Sequence, residues 1–195
     1  MKQLFTKSSL FLLGLLTTTS FIVAPVYAQN DAKEETTVEV SQEDKSEFQT
    51  ILETALKDFE EKYPEVKISG LKVKIQKDDI IEVEIEGFDN DSDYEVTYNS
   101  KEQQFTKEEK DELDSDDEYI ELALDKLKTL DEITEIANQK TNLSNIESWK
   151  LSADDDHNNQ PVWEVEYDDE KEKDDVELKI DAQSGEILKV EGLES

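Results

Sequence analysis

Three short stretches, Leu71-Val73-Ile75, Ile81-Val83-Ile85 and Tyr94-Val96-Tyr98, carry apolar residues at every second position with polar or charged residues between. That period of two predicts strands with one buried and one wet face. The connections Gln76-Lys77-Asp78-Asp79 and Gly87-Phe88-Asp89-Asn90-Asp91-Ser92-Asp93 read as turns, so the strands should pair antiparallel. Upstream, Phe48, Ile51, Leu52, Ala55, Leu56 and Phe59 fall at i, i+3, i+4 and i+7 spacing, which predicts an amphipathic helix. Ser46-x-x-Gln49 reads as its capping box, and Pro64 ends it at Tyr63.

The same order returns further along. Thr129-x-x-Glu132 opens a second helix with Leu130, Ile133, Ile136 and Ala137 inward, followed by Trp149-Leu151-Ala153, Trp163-Val165-Tyr167 and Val176-Leu178-Ile180. At a constant offset of 82 residues, Ile81 matches Trp163, Val83 matches Val165, Tyr98 matches Ile180 and Phe105 matches Ile187. We read an internal duplication. The expected fold is α+β, two tandem units (46–105 and 129–195), each one helix packed on a three- or four-stranded antiparallel sheet. Between them, 106–128 reads as a helical linker, with Ser115-x-x-Glu118 as cap and Ile120, Ala123, Leu124 and Leu127 on one face.

The first 28 residues read as a signal peptide. Lys2 and Lys7 precede an uncharged apolar run from Ser8 to Ala24, and Val26-Tyr27-Ala28 offers a cleavage site after Ala28. An uncleaved anchor is the alternative reading. Residues 29–45 are polar and acidic and are expected to form a disordered spacer. No second apolar segment suggests a span after cleavage. The absence of cysteine excludes disulfides, thiol catalysis and a lipid-modified cysteine.

Net charge is −31 with no arginine in the sequence, and loss of Lys2 and Lys7 with the signal peptide makes it −33. A field of that sign repels nucleic acid and anionic lipid and attracts cations and basic protein surfaces. It also keeps an exported protein soluble.

Trp163-Glu164-Val165-Glu166-Tyr167 and Val176 to Leu188, with Asp181-Ala182-x-x-Gly185 and the pair Ile187-Leu188, resemble the PepSY domain family. The helix Leu130-Asp131-Glu132-Ile133-Thr134-Glu135-Ile136-Ala137 is similar to that family's helix, so the resemblance covers Thr129 to Gly192. Ser46 to Phe105 reads as a diverged copy, with Ile81, Asn99 and Gln103 in place of Trp163, Asp181 and Gly185, and with its turn built differently. The resemblance implies a module that binds or restrains a peptidase, including metallopeptidases, or another protein outside the membrane.

Candidate chemistry is sparse. The single histidine, His157, lies in Asp154-Asp155-Asp156-His157-Asn158-Asn159, which reads as a solvated loop. Asp89, Asp91 and Asp93 open like an EF-hand, but Tyr94 and Ser100 stand where that loop needs Gly and Glu, leaving at most weak calcium binding. There is no His-Glu-x-x-His motif and no Gly-x-Ser-x-Gly turn. No catalytic, cofactor or metal residue is assigned. The function expected is a secreted, non-catalytic binding module acting on a secreted or surface peptidase. The alternative is an acidic divalent-cation-binding or structural cell-envelope protein.

Overall fold

The computed structural model describes residues 45–114, 119–168 and 176–193, and the chain from Gln42 on forms one compact unit. Helix α1 (Glu47–Lys62) starts where the Ser46 hydroxyl oxygen accepts from the Gln49 N–H, and it ends at Tyr63. Strands β1 (Lys67–Ile75), β2 (Ile81–Phe88), β3 (Ser92–Asn99) and β4 (Gln104–Glu112) follow. The order then recurs as α2 (Leu130–Thr141), β5 (Ile146–Asp154), β6 (Gln160–Tyr167), β7 (Val176–Asp181) and β8 (Ile187–Glu191). The expected α+β class and antiparallel pairing are both present. The strands, however, make one eight-stranded sheet ordered β4-β3-β2-β1-β5-β6-β7-β8.

The seam that makes one sheet is β1 against β5. Leu71 lies opposite Leu151, Lys72 opposite Lys150 and Val73 opposite Trp149. On the helix-covered face Leu71, Val73, Trp149 and Leu151 are all buried, so the seam is part of the core. The helices meet over it at their N-terminal ends. The Asp131 carboxylate accepts from the Ser46 N–H and hydroxyl, while the Gln49 side-chain carbonyl accepts from the Leu130 N–H at 2.8 Å. Each helix therefore completes the first turn of the other, and the Asp131 charge sits where both macrodipoles are positive. Gln49 does not close its own capping box, but Thr129 and Glu132 do.

Three expectations are corrected by this geometry. First, 106–128 is not a helical linker. Residues through Glu112 form β4, paired to β3, and among the described residues of 119–128 there is one short turn, at Leu124–Lys126. Helix-favouring residues yield here because β3 offers a ladder to pair with. Ser115 and Glu118, the expected cap, lie outside the described residues. Leu122 is buried and donates its N–H to Ile68 O, so this connector packs without helical geometry.

Second, the constant offset of 82 fails at β2. Bulges set the correspondence independently. Ser69 in β1 and Glu147 in β5 are the unpaired residues at one end, and Thr106 in β4 and Leu188 in β8 at the other. Tyr98 lies opposite Val83, whereas Ile180 lies opposite Trp163, so the partner of Trp163 is Val83 and not Ile81. The connection from β6 to β7 is longer by two residues, which alternating strands conceal because a slip of two keeps every face.

Third, the turn after β3 is not built differently from that after β7. Asn99 Oδ1 accepts from the N–H groups of Lys101 and Glu102, as Asp181 Oδ1 does from Gln183 and Ser184. Gln103 adopts φ 53° where Gly185 adopts 80°. The turn is shared, and Gln103 takes the left-handed conformation at a cost of about 1–2 kcal/mol that glycine avoids.

Candidate functional site

Both helices lie on one face of the sheet, and the other face carries its polar residues. A row crosses this open face in register: Glu84 opposite Lys72, Lys72 opposite Lys150, Lys150 opposite Glu164 and Glu164 opposite Lys179. The two facing lysines are tolerated because each is flanked by a glutamate from the outer strand. In the next row of the second half, Ser148, Glu166, Glu177 and Glu191 stand side by side on β5, β6, β7 and β8. Directly opposed carboxylates repel. Burial, with the charges of Glu164 and Glu191, raises the Glu177 carboxyl above its ordinary value.

Glu164, Glu166 and Glu177 each bring a carboxylate oxygen within 4.8 Å of the others, and among the described residues they are the one trio so placed for a cation. The Ser148 hydroxyl donates to Glu166, and Lys179 lies 3.8 Å from Glu164. The sequence hides this group because it depends on the register of β6 against β7. The carboxylates singled out from the sequence do not gather. Asp89 is spent on its own turn, accepting from the N–H groups of Asp91 and Ser92 and from the Tyr94 hydroxyl. The Tyr94 hydroxyl, then the turn amides, hold the Asp89 carboxyl below its usual range.

At the other end of β5, a polar recess of about 330 Å³ is lined in part by Lys150, Ser152, Asp154, Glu164 and Lys179. Asp154, expected in a solvated loop, has a side chain only 9% exposed. Its Oδ1 accepts from the His157 N–H and lies 3.0 Å from the His157 ring Nδ1, while Lys179 Nζ donates to Oδ2 at 3.0 Å. Asp154 thus closes the β5–β6 hairpin and ties it to β7. His157 clasps that hairpin through its contacts with Asp154.

On the buried face the aromatic anchors differ in their polar ends. The Trp149 N–H donates to the Thr134 hydroxyl at 3.0 Å and the Tyr167 hydroxyl donates to Asn138 at 2.9 Å. Trp163, the residue that heads the motif, buries its N–H without a partner among the described residues. An unpaired buried donor costs about 1–3 kcal/mol. Trp163→Phe is therefore expected to stay within about 1 kcal/mol of the parent, since the lost N–H offsets the lost area. Trp149→Phe, which orphans Thr134, should cost about 1–2 kcal/mol. Urea unfolding of the two variants checks this, and a larger loss at Trp163 would refute it.

Comparison with known proteins adds the following. Residues 128–191 match the family model described as PepSY, peptidase propeptide and YPEB domain. No curated protein matches the chain. Among solved structures, the fold is similar to the crystal structure of a "putative lipoprotein" from Clostridium difficile 630, at 22% identity and a TM-score of 0.63, over 75% of this chain and 95% of that one. The overlap is longer than the 128–191 match, so the likeness takes in strands from both halves. No helix among the described residues is long and apolar enough to cross a membrane. The helix, the Trp163 strand and the Asp181–Gly185 turn all lie within residues 128–191, the segment that matches the PepSY family model.

Proposed function

We propose that this chain is an exported, non-catalytic module that binds and modulates a secreted or surface peptidase. The observation that carries the reading is the PepSY match over residues 128–191, a family described by its occurrence in peptidase propeptides. PepSY domains are generally non-catalytic. The charged groups of the open face are engaged in pairing strands and closing a hairpin, which suits a surface for binding better than one for chemistry. Export rests on the charge and apolar pattern of residues 1–28, with cleavage after Ala28 and a spacer over 29–45.

Within this reading, 46–112 and 129–191 are duplicated units fused through β1 and β5. Support comes from the matched bulges and matched turns. The seam pairs corresponding residues about a local two-fold through Lys72 and Lys150, as in an isologous contact.

The test is capture of partners from the producing cell's secreted and surface proteins on the immobilised chain from Gln29 on, at physiological salt, with calcium present or chelated. Recovery of a peptidase, and a change in its activity or lifetime at saturating protein, is the expected result. Unchanged activity and lifetime for every recovered peptidase would overturn the reading. Retention that depends wholly on calcium would favour the cation-binding alternative.

A further inference from the structure

The two ends of the sheet are finished differently, although the elements that form them correspond. At the β4 edge, the helix-side position opposite Val96 is Glu108. Its carboxylate takes hydrogen bonds from Lys62 and from the Tyr63 hydroxyl, so a paired charge closes the core there. Burial, then Glu108, pushes the Tyr63 hydroxyl up to about 12, which keeps it a donor. An inward-pointing charge on an edge strand discourages further pairing. On the open side of the same edge, Lys107 bridges Glu95 at 2.6 Å and Glu109 at 3.3 Å.

At the β8 edge the corresponding helix-side residue is Val190, opposite Leu178, with Ile187 opposite Ile180. Both are only partly buried against the core, so the apolar layer runs out to the edge without a cap. Leu193, just beyond β8, is the one large hydrophobic residue that is exposed among those described, at 41%. On the open side the acid row Glu166, Glu177, Glu191 reaches this same edge. Lys189 pairs with Glu191 at 2.8 Å, and Lys179 is shared between Asp154 and Glu164. Five acids, counting Asp154, thus face three lysines, since Lys150 lies opposite Glu164. The edge strand is five residues long, apolar on its helix side and carrying Lys189 and Glu191 on its open side, where the acid row ends.

We propose that the outer edge of β8 takes an extended segment of a partner by strand addition, with Lys or Arg facing Glu191 and an apolar residue facing Val190. This rests on the binding-module reading above and names its docking strand. Backbone hydrogen bonds along β8 supply register-independent affinity, and the alternation of basic and apolar residues supplies selection. A basic residue beside Glu191 adds positive charge, beyond that of Lys189, where the acid row Glu166, Glu177, Glu191 meets the edge. A second copy of this chain is a poorer occupant than a basic segment, because it brings the same strongly negative charge, −31 over the full sequence.

The test uses a labelled peptide of six Val-Lys repeats and a control of the same composition in Val-Val-Lys-Lys order, titrated by fluorescence anisotropy at physiological salt. The alternating peptide is expected to bind at least about tenfold more tightly, since only it matches the pleat. Glu191→Lys should weaken it about tenfold, while Glu109→Lys, the corresponding change at the β4 edge, should leave it unchanged. Val190→Glu, which copies the Glu108 closure, should abolish binding. Glu191 is exposed, so its variant keeps the test open should Val190→Glu fail to fold. Equal binding of both peptides, indifference to Glu191→Lys, or a dimer that protects the β8 amides would overturn the proposal. Peptidase modulation that survives Glu191→Lys would sink this docking strand while leaving the module reading in place.

Discussion

Trp149→Ala is expected to lower stability by about 3–5 kcal/mol, the cost of emptying a large aromatic site, and to lower the melting temperature by roughly 10–15 °C. Trp149 is 1% exposed and sits at the seam. It lies opposite Val73 of the first half, packs with its ring tilted against that of Phe48 on α1 at 5.0 Å, and holds Thr134 of α2. Its removal opens a void shared by both halves, so they should be lost together. A single transition, with far-UV circular dichroism coincident with the fluorescence of the remaining Trp163, is the expected trace. Two separated transitions would show that the halves are independent units that merely touch. A melting temperature lowered by less than about 3 °C would show that the site collapses around the loss.

That experiment addresses what the sequence could not express. The face of each strand was readable, because alternation in Ile81-Val83-Ile85 or Val176-Leu178-Ile180 depends only on neighbours within the strand. Helix starts were readable for the same reason, since Ser46 and Thr129 cap the turns that follow them. The seam was not. Nothing local in Gly70–Lys74 says that its partner is Ser148–Ser152, about eighty residues on, instead of solvent. That Val83, and not Ile81, holds the sheet position equivalent to Trp163 was hidden by the same alternation that revealed the strands, because a shift by two residues changes no face.

Charge misled in two places. Lys107-Glu108-Glu109-Lys110 has the composition of a solvent-exposed helix, yet forms an edge strand whose Glu108 turns inward to Lys62 and Tyr63. Asp154-Asp155-Asp156-His157 has the composition of a free loop, yet its first residue is nearly buried. In both cases a charge is held by a partner distant in sequence, a relation that composition does not carry. The carboxylates nearest each other, Glu164, Glu166 and Glu177, were legible as wet-face residues but not as neighbours.

Asp154 gives the second large effect. Burial alone would raise its carboxyl, but hydrogen bonds from Lys179 and His157 outweigh that and bring it from 3.8 down to about 2. Lys179 is raised in turn, first by its hydrogen bond to Asp154. A carboxyl depressed in the folded state contributes stability above its unfolded value, near 4, and loses that contribution as pH falls toward the folded value near 2. The size of the shift corresponds to about 2 kcal/mol at neutral pH. Asp154→Asn keeps the shape but not the charge, so it should cost about 2 kcal/mol at pH 7. Asp154→Ala should cost about 3 kcal/mol, because the hairpin cap is lost as well and Lys179 is left largely buried without its main partner. The diagnostic is the gap between parent and Asp154→Asn in urea unfolding from pH 7 to pH 2.5. The many other acids titrate alike in both chains and cancel in that difference. The gap should hold steady down to about pH 4.5 and then narrow as Asp154 takes up a proton in the unfolded chain but not yet in the folded one. A gap that stays constant to pH 2.5 would mean that the hydrogen-bonding shape of Asp154, and not its charge, secures the hairpin to β7.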